Sequence, residues 1–137
     1  MNASRSRATG PDPRHAMLVF SGGAAGSLTR YVITAVTPGA WGQPAATFVI
    51  NVVGAFALGW LLEALLRRPG DPDRPTRSRL LLGTGFLGGF TTYSALAVDS
   101  VLFGQQGPLA GAFAYPIATL VLGAGATGLG RRIGSRP

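Results

Sequence analysis

The run Gly85-Phe86-Leu87-Gly88-Gly89-Phe90-Thr91-Thr92-Tyr93-Ser94 is the part of this 137-residue sequence best suited to hold an ion. It sets glycines beside hydroxyl side chains in the middle of an apolar segment. Gly-Gly followed by Thr-Thr forms helix poorly, because glycine is flexible and threonine is β-branched. A break here would release backbone carbonyls and N–H groups from helical pairing. Irregular backbone at membrane depth is tolerated only where protein buries it or a watery cavity meets it, and such carbonyls can ligate a cation. The competing reading is a continuous helix with a glycine-rich packing face and hydroxyls bonded to their own backbone.

Three other places carry polar groups inside apolar segments, where each costs free energy unless partnered. Thr47 and Asn51 lie one helical turn apart and share a face. The Asn51 amide has two N–H donors for an anion, or equally for a neighbouring helix. Tyr115 and Thr119 are likewise one turn apart, so their hydroxyls form a candidate polar track, with Pro116 placed to kink the helix. Arg30 is suited to snorkelling, to a structural pair or to attracting anions. Gly22 and Gly26, like Ala55 and Gly59, have the four-residue spacing of a close packing face.

The elements that must position these residues follow from composition. Hydrophobic residues make up 47% of the chain and charged residues 12%, about half the charged share usual in soluble domains. Mean hydropathy is +0.32. Four segments approach the ~20 residues needed to cross a bilayer: about Ala16 to Val36, Ala45 to Leu66, Leu80 to Phe103 and Pro108 to Gly130. They lack the alternation of barrel strands, so an all-α membrane protein of four transmembrane helices is predicted, with the third broken near its middle. Residues 1–15 read as a disordered basic tail, 16–130 as the transmembrane domain and 131–137 as a basic C-terminal tail. The segment Arg67 to Arg79, rich in proline and aspartate, reads as an exposed loop.

All twelve basic residues are arginine. Apart from Arg30 they fall in three groups: Arg5, Arg7 and Arg14; Arg67, Arg68, Arg74, Arg77 and Arg79; Arg131, Arg132 and Arg136. The first and third connections carry none. The positive-inside rule therefore places both termini and the middle connection in the cytoplasm, in a bacterial plasma membrane. Clustering between uncharged spans, without interleaved aromatic platforms, argues against a nucleic-acid binder despite a net charge of +7. With no cysteine and with His15 as the single histidine, no nucleophile–base pair can be assembled, so an enzyme is not expected.

Three blocks together resemble the Fluc (CrcB) family of fluoride channels: Gly22-Gly23-Ala24-Ala25-Gly26 leading to Arg30-Tyr31; Thr47-Phe48-Val49-Ile50-Asn51-Val52-Val53-Gly54; and the Gly85–Ser94 run. The resemblance implies an antiparallel two-subunit channel that lets fluoride leave the cytoplasm, with two pores and a structural sodium ion at the dimer centre. It further implies that the backbone carbonyls of Gly88 and Thr91 hold the sodium. Fluoride would pass Asn51, Tyr93, Ser94, Tyr115 and Thr119, with Arg30 in a structural or anion-attracting role.

Two departures stand out. Members of the family usually carry two phenylalanines three residues apart after the Thr-Thr pair, where this chain has Tyr93 and Leu96; a leucine has no positive ring edge to offer. Where a glutamate is common, this chain has Asp99. The one-sided arginine distribution also opposes insertion in both directions, so a heterodimer with a related four-helix subunit of opposite topology is expected. Two rivals are a purely structural partner subunit and a small four-helix proton-coupled exporter of cations. The exporter needs an acidic residue deep in the membrane, and Glu63 and Asp99 are read as lying toward helix ends.

Overall fold

The computed structural model describes residues 12–37, 42–67 and 73–136, the side chains of 73–75 excepted. Among them the regular structure is entirely helical: α1 (Pro13–Val36), α2 (Gly42–Leu66), α3 (Asp73–Ser78), a π-helical segment (Arg79–Leu87), α4 (Gly88–Phe90), α5 (Tyr93–Gln106) and α6 (Leu109–Gly134). Three stretches are long and apolar enough to cross a membrane: Gly42–Leu66, Thr76–Gln106 and Leu109–Gly134. This fits a multi-pass membrane protein. The 24 residues of α1 would extend about 36 Å, but glycine, serine, threonine and arginine make it less apolar than the other three.

Helix boundaries differ from the sequence reading in places. The first helix begins at Pro13, three residues inside the expected tail, because Asp12 Oδ1 accepts from Arg14 N at 2.9 Å and proline suits the first turn. The rest of that tail, residues 1–11, lies outside the described residues. Part of the expected middle loop, Asp73–Ser78, is helical and runs into the π-helical segment. α6 continues to Gly134, four residues further than expected, and remains helical through Pro116.

Glycines decide how the helices meet. A Cβ on Gly22 would overlap the Leu81 carbonyl, and one on Gly26 the Phe86 carbonyl, so α1 lies backbone to backbone against the π-helical segment. The pairs ascend together along both helices, which makes α1 parallel to residues 79–90. Gly59 and Gly130 play the same part between α2 and α6, where added carbons would meet the Thr127 and Phe56 carbonyls. Small residues allow this approach in lipid, where packing rather than the hydrophobic effect holds helices together. Ala46, Ile50, Leu61, Leu65, Leu87 and Phe90 form the small buried core, and the Phe86 and Phe90 rings stack at 5.9 Å.

Candidate ion site

At Thr91 and Thr92 helical backbone gives way to extended backbone. Thr91 has φ −77° and ψ 156°, and Thr92 has φ −149° and ψ 127°. In a continuous α-helix the N–H of residue i meets the carbonyl of residue i−4. Thr91 keeps that bond, donating to Leu87 O at 3.0 Å, and its hydroxyl donates to the same oxygen at 2.9 Å. Thr92 N–H, due to meet the Gly88 carbonyl, donates instead to Asn51 Oδ1 at 2.8 Å. Ala95 N–H, due to meet the Thr91 carbonyl, donates to Thr92 Oγ1 at 3.3 Å, so Thr92 caps α5. The Gly88 and Thr91 carbonyls are thus among those whose helical donors have been diverted.

Asn51 completes a two-point clasp on the Thr92 peptide, because its Nδ2 also donates to Thr92 O at 3.0 Å. The sequence left anion donor and helix partner equally open for this amide. The structure spends Oδ1 and one N–H on the neighbouring backbone and leaves the second N–H. Arg30 does not snorkel. Its Nε donates to Gly89 O at 3.3 Å, and Ser27 Oγ donates to the same carbonyl at 3.4 Å. Side chains of α1 and α2 thus satisfy backbone groups that the interruption exposes, as backbone at this depth requires.

Asn51, Tyr93 and Thr119 line one groove of about 550 Å³, together with Gly88, Thr91, Thr92 and Leu96. Tyr93 is 79% exposed, whereas Leu96 is 3% exposed. Thr119 is buried, and its hydroxyl donates to Tyr115 O at 2.8 Å, as the plainer reading of that pair holds. Two expected path residues lie apart from the groove lining. Ser94 is exposed and pairs with the Thr92 hydroxyl at 3.1 Å. The Tyr115 hydroxyl points the other way, donating to Pro44 O at 2.9 Å with Asp99 Oδ2 at 3.4 Å.

Asp99 is 5% exposed and lies in the last third of the apolar stretch Thr76–Gln106, toward the end at which the sequence reading put it. Its carboxylate faces a second cavity of about 870 Å³ lined also by Thr34, Gln43 and Gln106, at the end of the bundle without described arginines. Ser27, whose hydroxyl meets the Gly89 carbonyl, is a residue at the interruption to which the sequence reading gave no role. Its signal was present, since Gly23, Ser27 and Arg30 share a face of α1. Among the described residues no group of three or more His, Cys, Asp or Glu side chains could hold a metal.

A helical bundle with an apolar exterior, in which a largely apolar groove carrying Asn51, Thr91, Thr92, Tyr93 and Thr119 runs beside diverted backbone, defines a multi-pass membrane protein with a candidate ion site. Residues 17–131 match the family described as CrcB-like protein, Camphor Resistance (CrcB), and the chain belongs to that family. It is 46% identical over 127 residues to a protein of Leifsonia xyli subsp. xyli named fluoride-specific ion channel FluC 2, covering 90% of this chain and 88% of the relative. It is 46% identical over 110 residues to FluC 1 of Cutibacterium acnes, with 78% and 76% covered. Identity is 40% over 108 residues to FluC of Chelativorans sp., with 77% and 84% covered.

Proposed function

We propose that this chain is a subunit of a passive fluoride channel, a transporter of ions and not an enzyme, which lets fluoride leave a bacterial cytoplasm and so gives fluoride resistance. The observation that carries this is the meeting of Asn51, Tyr93 and Thr119 on one groove, in a chain whose relatives are named fluoride-specific channels. Fluoride is small and strongly hydrated, so a path must replace water with hydrogen-bond donors and positive ring edges. Asn51 keeps one N–H, Tyr93 offers a hydroxyl and a ring edge, and the Thr119 hydroxyl can turn from its own helix. Tyr115 stands one turn beyond Thr119, toward the second cavity.

The reading includes four transmembrane helices, with the interruption at Thr91 and Thr92 breaking the third and α1 counted as the first. Its lower hydropathy is met by packing: the glycine face of α1 lies on residues 79–90 and not in lipid. It also includes a structural sodium ion. Gly88 and Thr91 fit that role because their helical donors are diverted and Gly88 is exposed with nothing within 4 Å of its Cβ position. Two carbonyls are few for a hard cation; a second, related subunit across a pseudo-two-fold axis would supply a second pair. Sodium would supply fixed positive charge at the dimer centre.

The exposed Tyr93 ring and the open face of α6, where only 6% of the most apolar stretch is buried, support an antiparallel dimer that covers them. The one-sided arginines favour an unlike partner of reversed topology, with the termini of this chain cytoplasmic. Fluoride efflux from liposomes, read with a fluoride electrode, tests the function. Efflux above empty liposomes, and well above chloride efflux, is expected for the chain with its partner. If neither the chain alone nor the pair releases fluoride, the proposal fails. A purely structural subunit would instead leave fluoride resistance untouched when Asn51 or Tyr93 is replaced; the buried Leu96 in the groove is the feature that favours that second reading.

A further inference from the structure

Packing contacts fix which helix ends lie together. α1 runs parallel to residues 79–90, and α2 runs parallel to α6, as the pairs Ala55–Gly123, Gly59–Thr127 and Trp60–Gly134 show. Asn51 meets Thr92 while Leu58 and Leu61 meet Gly83, so α2 is antiparallel to the third segment. The described arginines other than Arg30 consequently gather at one end of the bundle. At the other end α1 and α5 finish, α2 and α6 begin, and the cavity of about 870 Å³ lies among them. Among the described residues that line it, Asp99 alone is charged. A buried carboxylate needs donors or a counter-charge, and this one is short of both. The ion pairs of the described residues all fall on Glu63, so Asp99 has no cationic partner. Its one hydrogen-bond contact among them is the Tyr115 hydroxyl, which has a single hydrogen. That hydroxyl stands closer to Pro44 O, at 2.9 Å, than to Asp99 Oδ2, at 3.4 Å. A hydrogen donated to Pro44 leaves the carboxylate without a donor.

A cation therefore suits the cavity, and the walls decide its kind. One carboxylate balances one positive charge, whereas a divalent ion would call for more. The cavity is far larger than an alkali ion and falls in the size range of small-molecule sites. Ala35, Pro44, Leu102, Phe103 and Pro108 make much of its wall apolar. Phe103 follows Asp99 by one helical turn on the same face of α5. Its ring packs on the Tyr115 ring at 5.1 Å, and the Tyr115 hydroxyl is the group that reaches Asp99. We propose that this cavity binds a monovalent organic ammonium, with its charged nitrogen on the Asp99 carboxylate and its apolar part against Phe103 and Leu102. Charge pairing and attraction to the ring face act together on such a ligand. The site depends on neither the fluoride nor the dimer reading.

Benzylammonium is a suitable probe, with benzyl alcohol as its uncharged counterpart. Each is titrated at neutral pH into the full chain in a maltoside detergent and followed by isothermal titration calorimetry. Benzylammonium should bind saturably and benzyl alcohol should not. Asp99→Asn should weaken binding at least about tenfold, the worth of a hydrogen bond to a charged group. Phe103→Leu should weaken it about threefold through the lost ring. Should Asp99→Asn fail to fold, the two probes on the wild-type chain and the Phe103→Leu variant keep the test open. No saturable binding to the wild-type chain, equal binding of both probes, or unchanged binding in folded Asp99→Asn overturns the proposal. Displacement of benzylammonium by an equal concentration of sodium also overturns it, because the cavity would then hold an inorganic cation. Phosphatidylethanolamine added to the micelles separates two sources of the ammonium: competition assigns it to a lipid headgroup, and lack of competition to a free amine.

Discussion

Asn51 is the residue on which the most depends, because one amide performs two tasks. Its clasp on Thr92 replaces bonds that a continuous helix would make, and its side chain also lines the groove. Asn51→Ala removes both bonds and leaves a peptide unpartnered at membrane depth, at a cost of about 1–3 kcal/mol. The expected outcome is a lower melting temperature together with fluoride efflux reduced at least tenfold, read by thermal unfolding and a fluoride electrode. Unchanged melting would remove the clasp from the account. Leu96 tests the ring-edge idea. Leu96→Phe supplies the missing edge in the groove, and faster efflux is expected. Overpacking a site only 3% exposed should cost about 1–3 kcal/mol of stability, so efflux must be compared per folded protein.

Helices meet here through glycine, and the effect of adding a methyl group depends on which face receives it. Gly26→Ala places a carbon against the Phe86 carbonyl and the Phe90 N–H. α1 must then move away from the segment whose backbone Ser27 and Arg30 satisfy. We expect Gly26→Ala to destabilise the chain by roughly 1–3 kcal/mol and to weaken protection of the 85–92 amides in hydrogen exchange. Gly125→Ala is the control, since among the described residues outside its own helical turn nothing lies within 4 Å of its Cβ position. It should leave the chain's own fold unchanged, and any loss of dimer in that variant would place the partner subunit on the open face of α6. The π-helical segment Arg79–Leu87, which contains Gly83 and Gly85, leads directly into this contact; such geometry often accompanies functional sites.

For the whole molecule the governing fact is charge at one end. The far end, where Thr37, Gly42, Gln106 and Pro108 lie, carries no arginine among the described residues, so insertion in one orientation is expected. The chain has no native cysteine, which makes the test direct. Single cysteines placed at Gln106 and at Arg136 should label from opposite sides of intact cells, each from one side only. Two-sided labelling at either position would show dual insertion and undo the argument for an unlike partner. Replacing Arg131, Arg132 and Arg136 together by glutamine should move some chains to the reversed orientation.

The all-helical class and three of the four expected spans were legible in the sequence because they depend on local quantities. Apolar length, arginine placement and poor helix formers at Gly88 to Thr92 act within a few residues, and the helical interruption lies inside that run. Gly22 and Gly26 were also legible as a packing face, since their spacing marks one side of a helix. Which backbone group each polar side chain meets was not, because that requires the packing of helices distant in sequence. Nothing in Thr47 to Gly54 reveals that Asn51 will clasp a peptide 41 positions on, nor does Arg30 announce the Gly89 carbonyl. Tyr115 and Thr119 share a face as their spacing demands. Only the crossing of α5 and α6 turned the tyrosine hydroxyl toward Pro44 and a buried Asp99, away from the groove.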